Sequence, residues 1–289
     1  MSAAAPTIPR RRRSRSKIAR RVAINVTGAL VFLVMIFPVY WMVTTAFKRG
    51  GDILSLEPEW WPHDPTLANF TDAIHRPHFW DAVQNSMIVV LAVVILSVGL
   101  ALLGALALAK FRFYGRAGFI IVIFAVQMIP LNALIIPLYI TLSSVHQVDK
   151  LTGVIVTYLT FVLPFCIWTL RGFIGGVPKE LEEAAMVDGS TRLGAFFRIM
   201  LPLVGPGLVA TSIFAFIQAW NEYIMAYVLL QSQEKQTLTI WLAFFTTQRG
   251  TDWGPLMAGA TLTALPVVVF FVLVHRKIAF GLTQGAVRG

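Results

Sequence analysis

Apolar residues along this chain gather into long runs, and short gaps between the runs hold most of the charge. A helix needs about 20 residues to cross the hydrocarbon core of a bilayer. Runs of that length are expected at about 22–47, 85–109, 117–142, 151–174, 208–230 and 255–274. Pro38 interrupts the first run, Pro130 and Pro137 the third, Pro164 the fourth and Pro266 the sixth. Proline is tolerated inside a membrane span where neighbouring helices or water satisfy the freed carbonyl, so kinked helices packed as a bundle are expected. Gly99, Gly104 and Ala105 in the second run, with Gly259 and Ala260 in the sixth, predict close helix contacts.

Composition agrees with the pattern. Of 289 residues, 57% are hydrophobic and 13% charged, against about 25% charged in a soluble domain. The fold class is an all-α membrane protein. The one cysteine, Cys166, lies in an apolar run. It allows no internal disulfide and no Cys-rich metal site, and reads as a small packing residue.

Basic residues set the orientation. Arg10, Arg11, Arg12, Arg13, Arg15, Lys17, Arg20 and Arg21 form a basic cytoplasmic tail over 1–21 with no acid. The inside gaps then hold Lys110, Arg112 and Arg116, Arg171, Lys179, Arg192 and Arg198, and Arg276, Lys277 and Arg288. Of 24 basic residues, only Lys48, Arg49, Arg76, Lys150, Lys235 and Arg249 fall outside. Six spans return the C-terminus to the cytoplasm. The apolar run after the tail is too long for a signal peptide and ends in no clean cleavage site. No recognisable module or aromatic stacking set accompanies the tail, which excludes nucleic acid as a partner. Topology fixation and attraction to anionic membrane lipid remain.

In the outside segments, Trp60 and Trp61 suit a membrane–water interface. His63, His75 and His78, with Asp72 and Asp81, match no metal-ligand spacing and read as solvated side chains. The loop over 231–254 mixes polar residues with Trp241, Phe244 and Phe245. It either dips back toward a pore or lies on the interface.

The polar gap at about 176–204 carries the most information. It reads Glu183-Ala184-Ala185, three residues, Gly189, nine residues, then Ile199, Leu201 and Pro202. Pro178 can open a helix at its first position, where a missing N–H costs little. Glu180, Glu182 and Glu183 suit the positive end of that helix. Leu181, Ala184 and Ala185 share one face by spacing, and two alanines allow close approach of another surface. Gly189 suits a left-handed helix end, Ser190 can cap a second helix through Phe196, Phe197 and Ile199, and Pro202 closes it. These rules alone predict a rigid helix–turn–helix knuckle on the cytoplasmic side.

The pattern from Glu183 to Pro202 resembles the coupling loop of membrane subunits of ATP-driven, binding-protein-dependent importers. The stretches Thr66–Phe70, Trp220-Asn221-Glu222 and 281–289 extend the resemblance over nearly the whole chain. The similarity is greatest to the smaller permease of maltose-type carbohydrate importers. It implies six transmembrane helices in the type I ABC importer permease (MetI-like) fold, with a permease domain over 22–289 and an importer core at about 82–276. It also implies a sugar substrate, a second related permease, two ATP-binding subunits and an external solute-binding protein, in a bacterial cytoplasmic membrane. The residues that would meet the ATPase are Glu183, Ala184, Ala185, Gly189, Ile199, Leu201 and Pro202. The chain itself is expected to be no enzyme and to hold no cofactor or metal. It has no Gly-x4-Gly-Lys-Ser/Thr loop, since no lysine precedes Ser or Thr, so ATP and magnesium belong to the partner ATPase.

Asn221 and Glu222 are the notable polar pair inside the fifth run. A carboxylate there is costly and usually faces a cavity or a partner. It either lines the translocation path or makes a structural hydrogen bond, and the resemblance leaves open which permease touches the sugar. The alternatives are a permease for a non-sugar solute and an ion-coupled secondary transporter. The latter lacks support from any inverted repeat or series of intramembrane charges.

Overall fold

The computed structural model describes the backbone of residues 15–248 and 250–285, and the side chains of 19–248 and 250–274. Most of the basic tail, Arg249 and the end of the 281–289 stretch lie outside the described residues.

Helix α1 (Arg15–Ala46) leads into a one-turn α2 (Gly50–Ile53), then α3 (Ala68–His75), α4 (Phe79–Lys110) and α5 (Arg116–Met128). A 3-10 turn (Leu131–Leu134) joins α5 to α6 (Ile135–Ser144), and α7 (Leu151–Gly175) follows. Next come α8 (Lys179–Val187), α9 (Arg192–Ala195), a π turn (Phe196–Met200) and α10 (Leu201–Leu203). The last part holds α11 (Gly205–Asn221), α12 (Ile224–Leu229), α13 (Leu238–Ala243), a two-stranded ribbon of β1 (Thr246–Thr247) and β2 (Gly250–Thr251), and α14 (Trp253–Gly285). The ribbon is the one departure from an all-α chain among the described residues.

Four helices are long and apolar enough to span a membrane, within Ala19–Ala46, Phe79–Lys110, Leu151–Gly175 and Trp253–Val274. Two bent pairs make six if each counts as one span: Arg116–Met128 with Leu131–Ser144, bent by 95°, and Arg192–Leu203 with Gly205–Asn221, bent by 67°. The third span is therefore a right-angled break and not a kink. Ile129 is extended (φ −78°, ψ 122°) because Pro130 disfavours the helical region for the residue before it. Pro137 falls in the first turn of α6, where a missing N–H is harmless. Pro38, Pro164 and Pro266 stay inside α1, α7 and α14.

The core lies between α4, α7 and α11, around Val90, Val93, Ala101, Ala105, Leu170, Ala215 and Phe216. A Cβ on Gly104 would stand 3.4 Å from Ile167, and one on Gly207 would strike the Phe173 ring, so both glycines set how closely helices approach α7. Gly259 serves Trp241 in the same way. Gly99 faces open space and does not mark a contact. Helix α1 is almost uncovered and meets the rest of the chain chiefly through α14.

Outside the spans, buried Asn69 donates to the carbonyls of Ala46 (2.9 Å) and Lys48 (2.7 Å). It thus satisfies carbonyls that the end of α1 leaves open. Asn69→Ala is expected to lower stability by about 1–3 kcal/mol, read as a lower melting midpoint of the purified protein. Lys48 is also buried, with its ammonium 4.1 Å over the Trp41 ring and 2.5 Å from the Glu59 carbonyl. Trp60 packs on Phe37 and Trp41 while staying largely exposed.

The loop over 231–254 packs back on the protein through part of its aromatic set. Trp241 and Phe245 are buried in the protein, with Trp241 against Phe79 and donating to the Pro77 carbonyl at 3.2 Å, while Phe244 stays exposed. Asn85 donates to the carbonyls of Glu234 and Gln236, and the Ser86 hydroxyl accepts the N–H of Leu238. The start of α4 thereby holds this segment.

Candidate functional site

Between α7 and α11 the chain leaves the bundle as the expected knuckle. Pro178 sits one position before the helix (φ −56°, ψ 136°), and α8 starts at Lys179. Glu180 and Glu182 occupy its first turn, where negative charge meets the positive helix end. The C-terminus closes on Gly189 at φ +88°. The N–H of Gly189 reaches the Met186 carbonyl (3.1 Å) and that of Ser190 the Ala185 carbonyl (2.9 Å). This pair of bonds is the Schellman motif, which needs a left-handed residue between them. Ser190 is thereby used in the turn and does not cap the second helix. Thr191 does, its hydroxyl accepting the Gly194 N–H at 3.1 Å.

The second arm is also less regular than expected. After α9 the helix widens into the π turn, in which the Leu201 N–H bonds the Phe196 carbonyl. Pro202 follows at once; it lacks an N–H and its ring crowds the carbonyl four residues back, which favours the wider turn.

The knuckle presents a defined face. Glu183, Ala184, Gly189 and Pro202 are exposed, Ile199 and Leu201 are half-buried, and Ala185 is buried. Ala184 and Ala185 therefore do not work together: Ala185 packs inward, where α8 lies on α9 and the π turn, and Ala184 faces outward. Three apolar side chains that the pattern did not single out are also exposed on the knuckle. Val187 is 87% exposed, Leu193 71% and Phe197 60%. The signal was present in the sequence as hydrophobic residues inside a polar gap.

Asn221 and Glu222 lie at the far end of α11. Asn221 is exposed and its amide turns back to the Ile217 carbonyl at 2.8 Å. Glu222 is not inside a span helix. It stands at the break between α11 and α12, with extended backbone (φ −69°, ψ 128°). Its carboxylate accepts the N–H groups of Met225 (2.8 Å) and Ala226 (3.1 Å) and the Tyr158 hydroxyl (2.6 Å). That is a helix cap made by a side chain, and it also binds α12 to α7. The exposed rings of Tyr223 and Tyr227 stack beside it at 5.5 Å.

Beyond the spans on that side, Asp149 clasps the 231–235 segment. It accepts the N–H groups of Gln231 and Ser232, the Ser232 hydroxyl and the Lys235 ammonium at 2.8 Å. Partial burial pushes its carboxyl up, but these donors, Lys235 foremost, outweigh that and hold it well below the usual carboxylate range. The clasp is therefore intact above the usual carboxylate range and is lost only as pH falls through the lowered value. A cavity of about 600 Å³ opens beside α2, α3 and the start of α14, lined in part by Arg49, Asp72, Asp252 and Trp253. It lies at the opposite end of α4 from the knuckle. His63, His75 and His78 engage Glu59, the Thr71 carbonyl and Asp81 respectively. Among the described residues, no three His, Cys, Asp or Glu side chains converge as metal ligands would.

The sequence signature of binding-protein-dependent transport system inner membrane components matches residues 100–282. A diacetylchitobiose uptake system permease protein of Streptomyces coelicolor is 47% identical over 93% of this chain and 98% of its own length. An arabinooligosaccharides transport system permease protein of Halalkalibacterium halodurans is 33% identical over 90% of this chain and 94% of its own. A crystal structure of a bacterial ABC transporter involved in alginate import contains a chain of the same fold. It superposes with a TM-score of 0.78 at 22% identity, over 91% of this chain and 98% of that one.

Proposed function

This chain belongs to the family of binding-protein-dependent transport system inner membrane components, multi-pass proteins of the inner membrane, and from that premise we propose that it is one of two permeases in an ATP-driven sugar importer. The knuckle over 176–204 carries the reading. It is a rigid helix–turn–helix with Ala184, Val187, Leu193 and Phe197 exposed on its surface. A motor protein docking there would cover them. The ATPase contact comprises Glu183, Ala184, Gly189 and Pro202 on the surface, with Ala185, Ile199 and Leu201 shaping the face from within. The permease itself hydrolyses nothing; two ATP-binding subunits carry the nucleotide and magnesium.

The sugar class follows from the relatives, several of which are named for oligosaccharide uptake. Diacetylchitobiose is the first solute to test, since the 47% identical relative is named for it. A structure of the alginate transporter with a pentasaccharide-bound periplasmic protein supports delivery by a solute-binding protein. Proteoliposomes containing this chain, a related permease and the ATPase are expected to accumulate diacetylchitobiose only with ATP and a loaded binding protein. Uptake without an ATPase would refute the reading.

Both termini are assigned to the cytoplasm from the basic asymmetry, which makes the knuckle cytoplasmic. Cys166, the one native cysteine, is fully buried, so introduced thiols report cleanly. In intact cells, cysteines at Glu57 and at Glu234, beside Lys235, are expected to react with a membrane-impermeant thiol reagent. A cysteine at Asp188 is expected to stay unlabelled until the membrane is opened. The reverse pattern would invert the protein and detach the knuckle from any ATPase.

A further inference from the structure

Among the described residues one ion pair joins the knuckle to the bundle, beside the packing of Phe196, Met200 and Leu201 on the core. Lys110 is the last residue of α4, and its ammonium stands 3.0 Å from a carboxylate oxygen of Glu182, in the first turn of α8. The two side chains are only 12% and 26% exposed. The Lys110 nitrogen is wholly covered and has no hydrogen-bond partner. Glu182 is thus the anion that offsets a buried positive charge. Each charge also suits its own helix: a cation at the C-terminus of α4 and an anion at the N-terminus of α8. Helix α4 packs along α7 and α11 and, at its opposite end, holds the 231–243 segment through Asn85 and Ser86.

We propose that Lys110 and Glu182 are positioning residues that latch the knuckle to α4, so that motor-driven movement of the knuckle is passed into the span reaching the outer segments. This rests on the coupling role given above. The backbone of the knuckle already has its own supports, in the bonds around Gly189 and the Thr191 cap. Loss of the pair therefore frees the knuckle from α4 without unfolding it. The motor stays bound, but its stroke is no longer delivered.

Lys110→Met and Glu182→Gln are compared with Lys110→Glu/Glu182→Lys, which restores the pair in reverse. Each is assembled with its partner permease and ATPase in proteoliposomes, and uptake of diacetylchitobiose is measured beside ATP hydrolysis. Lys110→Met, which removes the covered charge, is expected to assemble normally and hydrolyse ATP within about twofold of the unaltered complex, while uptake falls about tenfold; Glu182→Gln, which leaves Lys110 uncompensated, is expected to lower assembly as well. The reversed pair is expected to recover at least half of the uptake. A merely structural pair would lose assembly and hydrolysis together with uptake in Lys110→Met. Normal uptake in both single variants, or no recovery in the reversed pair, would overturn the latch. Gly189→Val and Ala184→Glu run in parallel separate the two readings: normal uptake in both removes the coupling role itself, while lost uptake there with normal Lys110→Met removes only the latch.

Discussion

Gly189→Val is expected to leave the chain inserted in the membrane but to lower both ATPase association and uptake at least tenfold. Gly189 holds φ +88°, and beyond its two chain neighbours no atom lies within 4 Å of where its Cβ would stand. The cost is therefore backbone strain and not a clash. A left-handed residue costs roughly 1–2 kcal/mol for an ordinary side chain, and more for a β-branched one. That is enough to open the two hydrogen bonds closing α8 and to swing one arm of the knuckle from the other. Gly189→Asn is expected to be mild, because asparagine enters this region readily. Ala184→Glu tests the surface by another route: it leaves the turn intact and places a charge on the exposed face. Co-purification of the ATPase, with uptake at matched membrane levels, reads both variants. Normal uptake in Gly189→Val and Ala184→Glu together would dismiss the coupling role.

The second large effect is expected at Glu222. Glu222→Leu strips the acceptor from the Met225 and Ala226 N–H groups and from the Tyr158 hydroxyl. Loss of a cap costs about 1–2 kcal/mol, and the Tyr158 hydroxyl, left with only its 3.5 Å contact to the Glu222 carbonyl, costs about 1–3 kcal/mol. The melting midpoint of the purified complex is expected to drop by roughly 4–20 °C, at about 2–4 °C per kcal/mol. Glu222→Gln keeps an acceptor oxygen and can still pair with Tyr158, so its loss of stability is expected to be small and its uptake moderately reduced. The pair separates the two readings of this residue. If Glu222 is a cap, uptake follows the melting midpoint through the series. If it lines the sugar's path, uptake falls at unchanged stability. Equal uptake and equal melting in all three proteins would remove it from both roles.

What could be read in the chain divides along physical lines. Gly189 was legible because a helix end requires a backbone that other residues avoid, and that requirement is local. The span positions were legible because the bilayer sets a length. The break at Ile129-Pro130 and the end of α11 at Asn221 were not, because a hydrophobic run has the same average whether its helix is straight or broken. The effect of proline on the preceding residue offered the clue at Ile129. Thr191 displaced Ser190 as a cap because the Schellman turn extends one residue beyond its glycine. The opposite exposures of Ala184 and Ala185 follow from how α8 rests on α9, which is tertiary. Lys110 and Glu182, like Tyr158 and Glu222, meet across helices far apart in the chain, and no local pattern announces such partners.

The contact between α1 and α14 joins the two ends of the described fold. During translation α1 is made well before α14, and it stays nearly bare even after α14 has packed against it. Its closure has the highest sequence separation of any helix pair here, and contacts of that kind form late. A chain cut short before α14 thus leaves α1 without its main protein contact. The packing of α1 on α14 makes the place of α1 beside the bundle depend on a helix made more than 200 residues later.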